Sequence, residues 1–348
     1  MVADEAQNIK NPSASQTKSL KSIPAESFIA MSGTPVENRL SEYWSIMDFA
    51  NRGFLGNLKT FIKEYSVPIE IDHDQQVAAR FRNATSPFTL RRLKSDKSII
   101  DDLPDKIEQN YLCQLTGSQA ALYEAIVRES LAKIQKESDD FSRQGLVLQM
   151  ILTLKQICNH PAQYLKTDKP DPSESGKSQL LLDLLEPIYA SHEKVLIFTQ
   201  FKEMGDMLAE MIHRRFGHPP QFLHGGLTRK KRDAMVSSFQ SDPTERAFIL
   251  SLKAGGTGLN LTAASHVIHY DLWWNPAVEQ QATDRAYRIG QTKNVEVFRL
   301  ITQSTFEERI NMMINSKREL AQLSVGIGEK WIGNLENQEL QEIFALSS

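Results

Sequence analysis

Apolar positions along the chain follow two different registers. In the first half, Tyr43, Trp44, Ile46, Met47 and Phe49 give a packed helical face that Asn51-Arg52-Gly53 stops. Ala120, Tyr123, Ile126, Val127, Leu131 and Ile134 recur at helical spacing behind Thr116, with Gln119 three residues on as a capping box. Leu146, Met150, Leu154 and Ile157 form the next stripe, closed by Asn159-His160-Pro161. In the second half the runs shorten to Val195–Thr199, Gln221–Leu223, Ala247–Leu252, His266–Tyr270 and Val295–Ile301, mostly separated by helical segments. That alternation predicts an α/β lobe with a parallel sheet and right-handed crossovers. Met1-Val2-Ala3 and Ser27 to Met31 predict two further short strands, and Thr305 to about Ser324 a last helix followed by a loose tail.

Composition narrows the class without naming a function. At 348 residues, 41% hydrophobic and 24% charged, the chain is long enough for two cores. Its two cysteines, Cys113 and Cys158, cannot make a disulfide framework and lack a metal-like cluster, so they read as buried thiols in a reducing compartment. His160 near Cys158 lacks the partners that a metal site needs. No apolar run reaches membrane-spanning length, and the first residues do not read as a signal peptide. With a net charge of -3, any nucleic-acid surface has to be a local patch.

Chemistry concentrates in a few stretches. Glu279 to Gln291, EQQATDRAYRIGQ, carries Arg285 and Arg288 three apart behind Asp284. On a helix they share one face, which makes either a fork for a polyanion or a solvated face with an intrahelical ion pair. Asp4 and Glu5 follow the first apolar run, and Ser32-Gly33-Thr34-Pro35 ends the second. The carboxyl ends of strands are where open α/β sheets bind ligands. Gly255-Gly256-Thr257-Gly258 would let backbone amides approach a phosphate. Arg229-Lys230-Lys231-Arg232 loads a helix start with cations, which the helix dipole disfavours unless an anion partners them. Gly176-Lys177-Ser178 imitates a phosphate loop, but the position that such a loop fills with its first Gly is Asp171, and the lead-in KTDKP is polar. It reads instead as a linker end, with Ser178 capping a helix from Gln179 to about Glu186.

Six of these stretches stand in the order of a known family. Asp4-Glu5-Ala6-Gln7, Ser32-Gly33-Thr34-Pro35, KVLIFTQF (194 to 201), His224-Gly225-Gly226, KAGGTGLNL (253 to 261) and the stretch at 279 to 291 together resemble the Swi/Snf-type DNA translocases of helicase superfamily 2. The resemblance covers essentially the whole chain, and the Ala6-Gln7 variant leans to the prokaryotic branch. It implies two RecA-like lobes, ATP and Mg²⁺ as cofactors, and double-stranded DNA as partner.

By that resemblance Asp4 would hold Mg²⁺ through the nucleotide and Glu5 would orient the attacking water. Arg285 and Arg288 would be arginine fingers, and Gln281 and Gly256 would complete the nucleotide site. Thr34, His224, Gly225, Lys253, Thr257, Asn260 and Trp274 would meet DNA, Trp274 near the groove and Trp273 in packing. The implied layout is a remnant of lobe 1 at 1–52, its helical protrusion at 53–90, an inter-lobe linker at 91–115, a helical insertion at 116–175, lobe 2 at 176–304, and a brace helix with tail at 305–348. The family's phosphate loop precedes the Asp-Glu pair and has no counterpart here, so this stretch alone is expected not to hydrolyse ATP.

The reading that results is part of an ATP-driven duplex-DNA translocase. It would be a monomeric motor with a DNA-bound protein as cargo and no membrane association, in the cytoplasm with the nucleoid or, in a eukaryote, in the nucleus. The alternatives are a non-catalytic nucleic-acid binding module on the same fold, and a strand-separating helicase acting on RNA or single strands.

Overall fold

The computed structural model describes residues 1–33, 39–72, 74–90, 103–168, 170–251, 259–320 and 335–346, with side chains in the 306–320 helix to residue 315. The chain divides into two compact units, one formed by 1–101 with 318–328 and the other by 102–317 with 329–348.

In the first unit β1 (Val2–Ala3) and β2 (Ile29–Ala30) pair in parallel, Val2 beside Ile29 and Ala3 beside Ala30. The crossover between them carries α1 (Ser15–Ser22). The next helix, α2 (Leu40–Ala50), lays Ile46 and Phe49 on Ala3, Ala6 and Ile9. Its other buried residues, Leu40 and Trp44, join Phe61, Ile69, Ala78 and Phe81 in a second small core. That core is built by α3 (Leu58–Phe61), a π-helical turn at Ile62–Ser66, α4 (Val67–Glu70) and α5 (Gln75–Thr85). Glu70 reaches back to cap α2, accepting the Leu40 amide at 2.6 Å, which satisfies one of that helix's free first-turn donors.

The second unit is a six-stranded parallel sheet in the order β3-β8-β7-β4-β6-β5. Its strands are β3 (Lys106–Cys113), β4 (Val195–Thr199), β5 (Gln221–Leu223), β6 (Ala247–Ser251), β7 (His266–His269) and β8 (Val295–Thr302). Because side chains alternate along a strand, Val195, Ile197, Ala247, Ile249, Ile268, Phe298 and Leu300 share one face. There they pack with α9 (Gly176–Ala190) and α10 (Lys202–Phe216). A second core joins α6 (Gly117–Lys136), α7 (Asp140–Asn159) and Ile301 to the start of α13 (Phe306–Leu320) and to α14 (Asn337–Phe344). The short α8 (Pro161–Leu165), α11 (Arg229–Ser241) and α12 (Pro276–Thr283) complete the unit.

Three expectations change. Residues 106–113, read as linker, are the edge strand β3, paired along its whole length with β8. Its apolar positions, Ile107, Tyr111, Leu112 and Cys113, do not alternate, and all but Cys113 keep surface exposed, as an edge allows, so period gave no signal. The segment 116–175, expected as a helical insertion of lobe 2, also carries part of that unit's core, since α6 and α7 share it with Trp274, Phe306, Ile310 and α14. Within 305–348 the stretch expected to be loose contains α14, whose Leu340, Ile343 and Phe344 are buried in that same core.

Candidate active site

In the first unit the two carboxylates sit where β1 ends. Glu5 takes a left-handed backbone conformation, φ 51°, which turns the chain sharply after the strand. Asp4 is exposed, and one of its oxygens accepts the Glu5 amide at 2.9 Å. Gln7 connects this turn to the end of β2: its amide donates to Glu5 Oε2, and its Oε1 accepts the Ser32 hydroxyl at 2.7 Å. Backbone bonds from Met31 to Ala3 and from Ala6 to Met31, both 2.8 Å, hold the two strand ends together. A lone exposed carboxylate suits a Mg²⁺ ion held mostly by phosphates and water, not a protein cage. Among the described residues there is no group of three or more acidic, His or Cys side chains that could hold a metal by itself.

In the second unit the arginines are not on a helix. α12 ends at Thr283, and Asp284 to Gly290 run on as turns that close at Gly290, φ 96°. The cause is Gln291, which is buried and whose side-chain amide donates to the carbonyls of Thr262, Ala264 and Ala286. Its Oε1 accepts the amides of Thr292 and Lys293. A helix continuing through 285–291 could not place one glutamine across five backbone groups. Both arginines nevertheless bond the same loop: the backbone carbonyl of Arg285, a residue 9% exposed, accepts the Leu261 amide at 3.0 Å. Arg288 is exposed and donates to the Leu259 carbonyl at 3.3 Å. Gln281, expected at the nucleotide, is half-buried on α12.

α12 itself is held by three adjacent strands. Lys106 of β3 donates to Gln280 at 2.9 Å. Arg299 of β8 forms an ion pair with buried Glu279, whose other oxygen accepts the Trp273 amide. His269 of β7 bonds the Thr283 hydroxyl at 2.9 Å, and burial pushes its pKa down to about 4, so the ring is neutral. Arg299 and His269 lie side by side in the sheet register, which is why they serve one helix, and Asn110 beside them accepts from Arg299 at 2.9 Å.

Further expected residues lie in the loops after β5 and β6. His224 and Gly225 follow β5: His224 Nδ1 accepts the Gly226 amide, and Arg232 braces the loop by donating to the carbonyls of Gly225 and Leu227. Arg229, Lys230 and Lys231 are exposed beside it. Asn260 is exposed. Thr34, Lys253, Gly256 and Thr257 lie outside the described residues.

Trp274 is a correction. It is 3% exposed, edge-on to Phe306 at 5.3 Å, with the Lys155 ammonium 3.7 Å from its ring centre, so it cannot offer that ring to a duplex. Its positive φ of 54° turns the side chain inward, whereas Trp273 stays partly exposed.

Gly176-Lys177-Ser178 is not a phosphate loop. The helix begins at Gly176 with Ser175, not Ser178, as its cap, accepting the Ser178 amide at 3.2 Å. A Cβ at 176 would lie 1.9 Å from the Gln114 carbonyl oxygen, so glycine is required by packing. Lys177 is fully buried against Glu307 at 2.8 Å. Burial opposes its charge, but Glu307 outweighs that and holds its pKa above the ordinary value. The Ser178 hydroxyl meets that of Tyr270 at 2.9 Å.

Sequence reasoning missed the polar network around this lysine. Buried Asp271, just past β7, accepts from the Thr199 hydroxyl at 2.5 Å, the Gln200 amide at 2.8 Å and Asn159 at 3.2 Å. Burial raises its pKa. It links the ends of β4 and β7 to the turn at Asn159-His160-Pro161, where His160 caps α8 and bonds the Asp171 carbonyl instead of a metal. Burial pushes the Cys113 thiol up to about 11 and Cys158 well above its ordinary value, so both are unreactive thiols.

With this geometry in place, the comparisons with known proteins are direct. Residues 1–163 match the SNF2-related domain and 176–290 the helicase conserved C-terminal domain. The chain is 47% identical over 349 aligned positions to YwqA of Bacillus subtilis (strain 168), whose name assigns it provisionally to the ATP-dependent helicases/translocases. It covers 37% of that protein with 99% of its own length, and so spans about a third of such relatives. Human DNA excision repair protein ERCC-6 is 34% identical over 338 positions, with 89% of this chain and 22% of that protein covered. Among solved structures, the Sulfolobus solfataricus SWI2/SNF2 ATPase core in complex with dsDNA superposes with a TM-score of 0.64 at 42% identity, covering all of this chain and 73% of that one. The C-terminal domain of the same enzyme gives 0.61 at 38%, covering 70% of this chain and all of that one.

Proposed function

The chain belongs to the SNF2-related ATPases, and from that membership we propose that it forms part of a motor that hydrolyses ATP to move along double-stranded DNA. Asp4 serves Mg²⁺ bound with the nucleotide, and Glu5 orients the attacking water. Arg285 and Arg288 stabilise negative charge on the transferred phosphoryl group. His224, Gly225, Asn260 and the exposed cations Arg229 to Lys231 supply duplex phosphate contacts, together with Thr34, Lys253 and Thr257.

The observation that carries this reading is the arginine turn: Gln291 ties the Ala286 carbonyl to the segment that leads into β7, and the Arg288 side chain is left exposed. A cation fixed on a rigid backbone loses no reorganisation energy when charge develops, as a transition-state donor requires. The solved relative at 42% identity was captured on double-stranded DNA, which favours duplex over RNA or single strands. Since Lys177 is spent on Glu307, these 348 residues alone should not hydrolyse ATP, and the activity belongs to the full-length protein.

The test measures phosphate release by the full-length protein with duplex DNA, single-stranded DNA and RNA at equal nucleotide concentration. Stimulation by duplex at least tenfold over the other two is expected. Equal stimulation by RNA or single strands would replace this reading with a strand-separating helicase.

A further inference from the structure

We infer that Gln280 is a positioning residue that fixes the arginine turn to the first residue of β3, with Lys106 as its anchor, an inference that rests on the role proposed for Arg285 and Arg288.

Three hydrogen bonds carry it. Lys106 Nζ donates to Gln280 Oε1 at 2.9 Å, and Gln280 Nε2 donates to Asp284 Oδ1 at 2.8 Å. The Asp284 amide in turn donates to the Gln280 carbonyl at 2.8 Å. Asp284 is thus gripped twice by one residue, at the point where α12 ends and the turn begins, and Arg285 is its immediate neighbour. Glutamine is the residue type that fits both ends, since its oxygen accepts from an ammonium while its nitrogen donates to a carboxylate. Glutamate at 280 would still accept from Lys106 but would face Asp284 with like charge. Leucine would do neither.

The anchor matters because of where it stands. Lys106 opens β3, directly after the described residues 103–105 that lead into the sheet, and Asp105 is fixed there by the Asn294 side chain and the Val295 amide. Any pull on that entry is passed by two hydrogen bonds to the residue before Arg285. The other staples of α12, buried Glu279 with half-buried Arg299 and buried His269 with buried Thr283, hold the helix to the sheet. The Lys106–Gln280–Asp284 line is only half-buried and outside the apolar cores, so it can be cut without emptying the interior.

The test uses the full-length protein with Gln280→Leu, Gln280→Glu and Lys106→Met. Duplex-stimulated hydrolysis is followed against ATP concentration, with melting temperature and amide hydrogen exchange alongside. Gln280→Leu and Gln280→Glu should lower kcat about tenfold while KM for ATP changes less than twofold and the melting temperature holds within about 2 °C. Lys106→Met should cost about threefold in kcat, and nothing further in the Gln280→Leu background. Exchange of the Asp284 to Gly290 amides should rise at least fivefold in Gln280→Leu. Unchanged exchange there would overturn the positioning role whatever the protein's activity. So would a kcat within twofold of the parent, or KM rising together with lost stability. A parent without duplex-stimulated turnover would refute the proposed motor function instead, and the exchange result would still decide this inference.

Discussion

Lys177 and Arg288 belong to the same unit, and in the sequence both look like ligands for phosphate. Around Lys177 three donors are already engaged: the Gly176 amide goes to Gln119 at 3.2 Å, the Ser178 amide to Ser175, and the ammonium to Glu307. A phosphate loop works because those same helix-start donors stay open. Around Arg288 the backbone is tied down through Gln291, while the guanidinium makes one 3.3 Å bond to the Leu259 carbonyl and stays exposed. A cation becomes a ligand site when the structure spends hydrogen bonds on its backbone, and a structural strut when it spends them on its charge.

The largest expected effect tests the arginine side of that contrast. Arg288→Ala in the full-length protein should reduce duplex-stimulated kcat by about 10³ to 10⁵, with duplex affinity close to unchanged. Turnover within tenfold of the parent would remove Arg288 from the transition state.

On the lysine side, Lys177→Ala leaves the Glu307 carboxylate buried without its cation. It should cost about 3–5 kcal/mol in urea unfolding of the second unit, while Lys177→Met combined with Glu307→Gln recovers much of that. If Lys177→Ala instead kept its stability and abolished nucleotide binding, the contrast would be inverted.

A smaller effect probes the support beneath the arginine turn. His269 has a folded pKa near 4 against an ordinary 6.5. The unfolded chain therefore binds the extra proton first, and this contribution to stability is complete above about pH 6.5 and is lost as pH falls toward 4. His269→Gln does not titrate and can still bond Thr283. The stability difference between parent and variant should drift against the parent by up to about 3 kcal/mol across that window, as followed by urea unfolding at several pH values. A flat difference would mean that the imidazole is not buried neutral beneath α12.

What was legible in the sequence was what repeats or caps. The capping box at Thr116 and Gln119 is present, and the five aliphatic runs from Val195 onward are all strands. The arginine segment was found from its spacing, but its helical form was not, because the competing force is one glutamine side chain bonding five backbone groups. β3 was missed because an edge strand has no buried alternation to display. Trp274 was misplaced because a loop position gives no period, and only the left-handed backbone turns it toward Phe306. Asp271, Lys155 and Glu307 carry no local signature, since their partners are distant in sequence.

The pairing of β3 with β8 also sets a schedule for the ribosome. Lys106 and its partner Val295 are 189 residues apart, so at about 5–20 residues per second β3 waits roughly 10–40 s for the strand that completes it. During that wait Ile107 and Leu112, half-exposed even in the finished sheet, stand on an open strand with unsatisfied amides. Nascent chains should be most open to chaperone capture, and most prone to misassembly, between the emergence of α6 and that of β8.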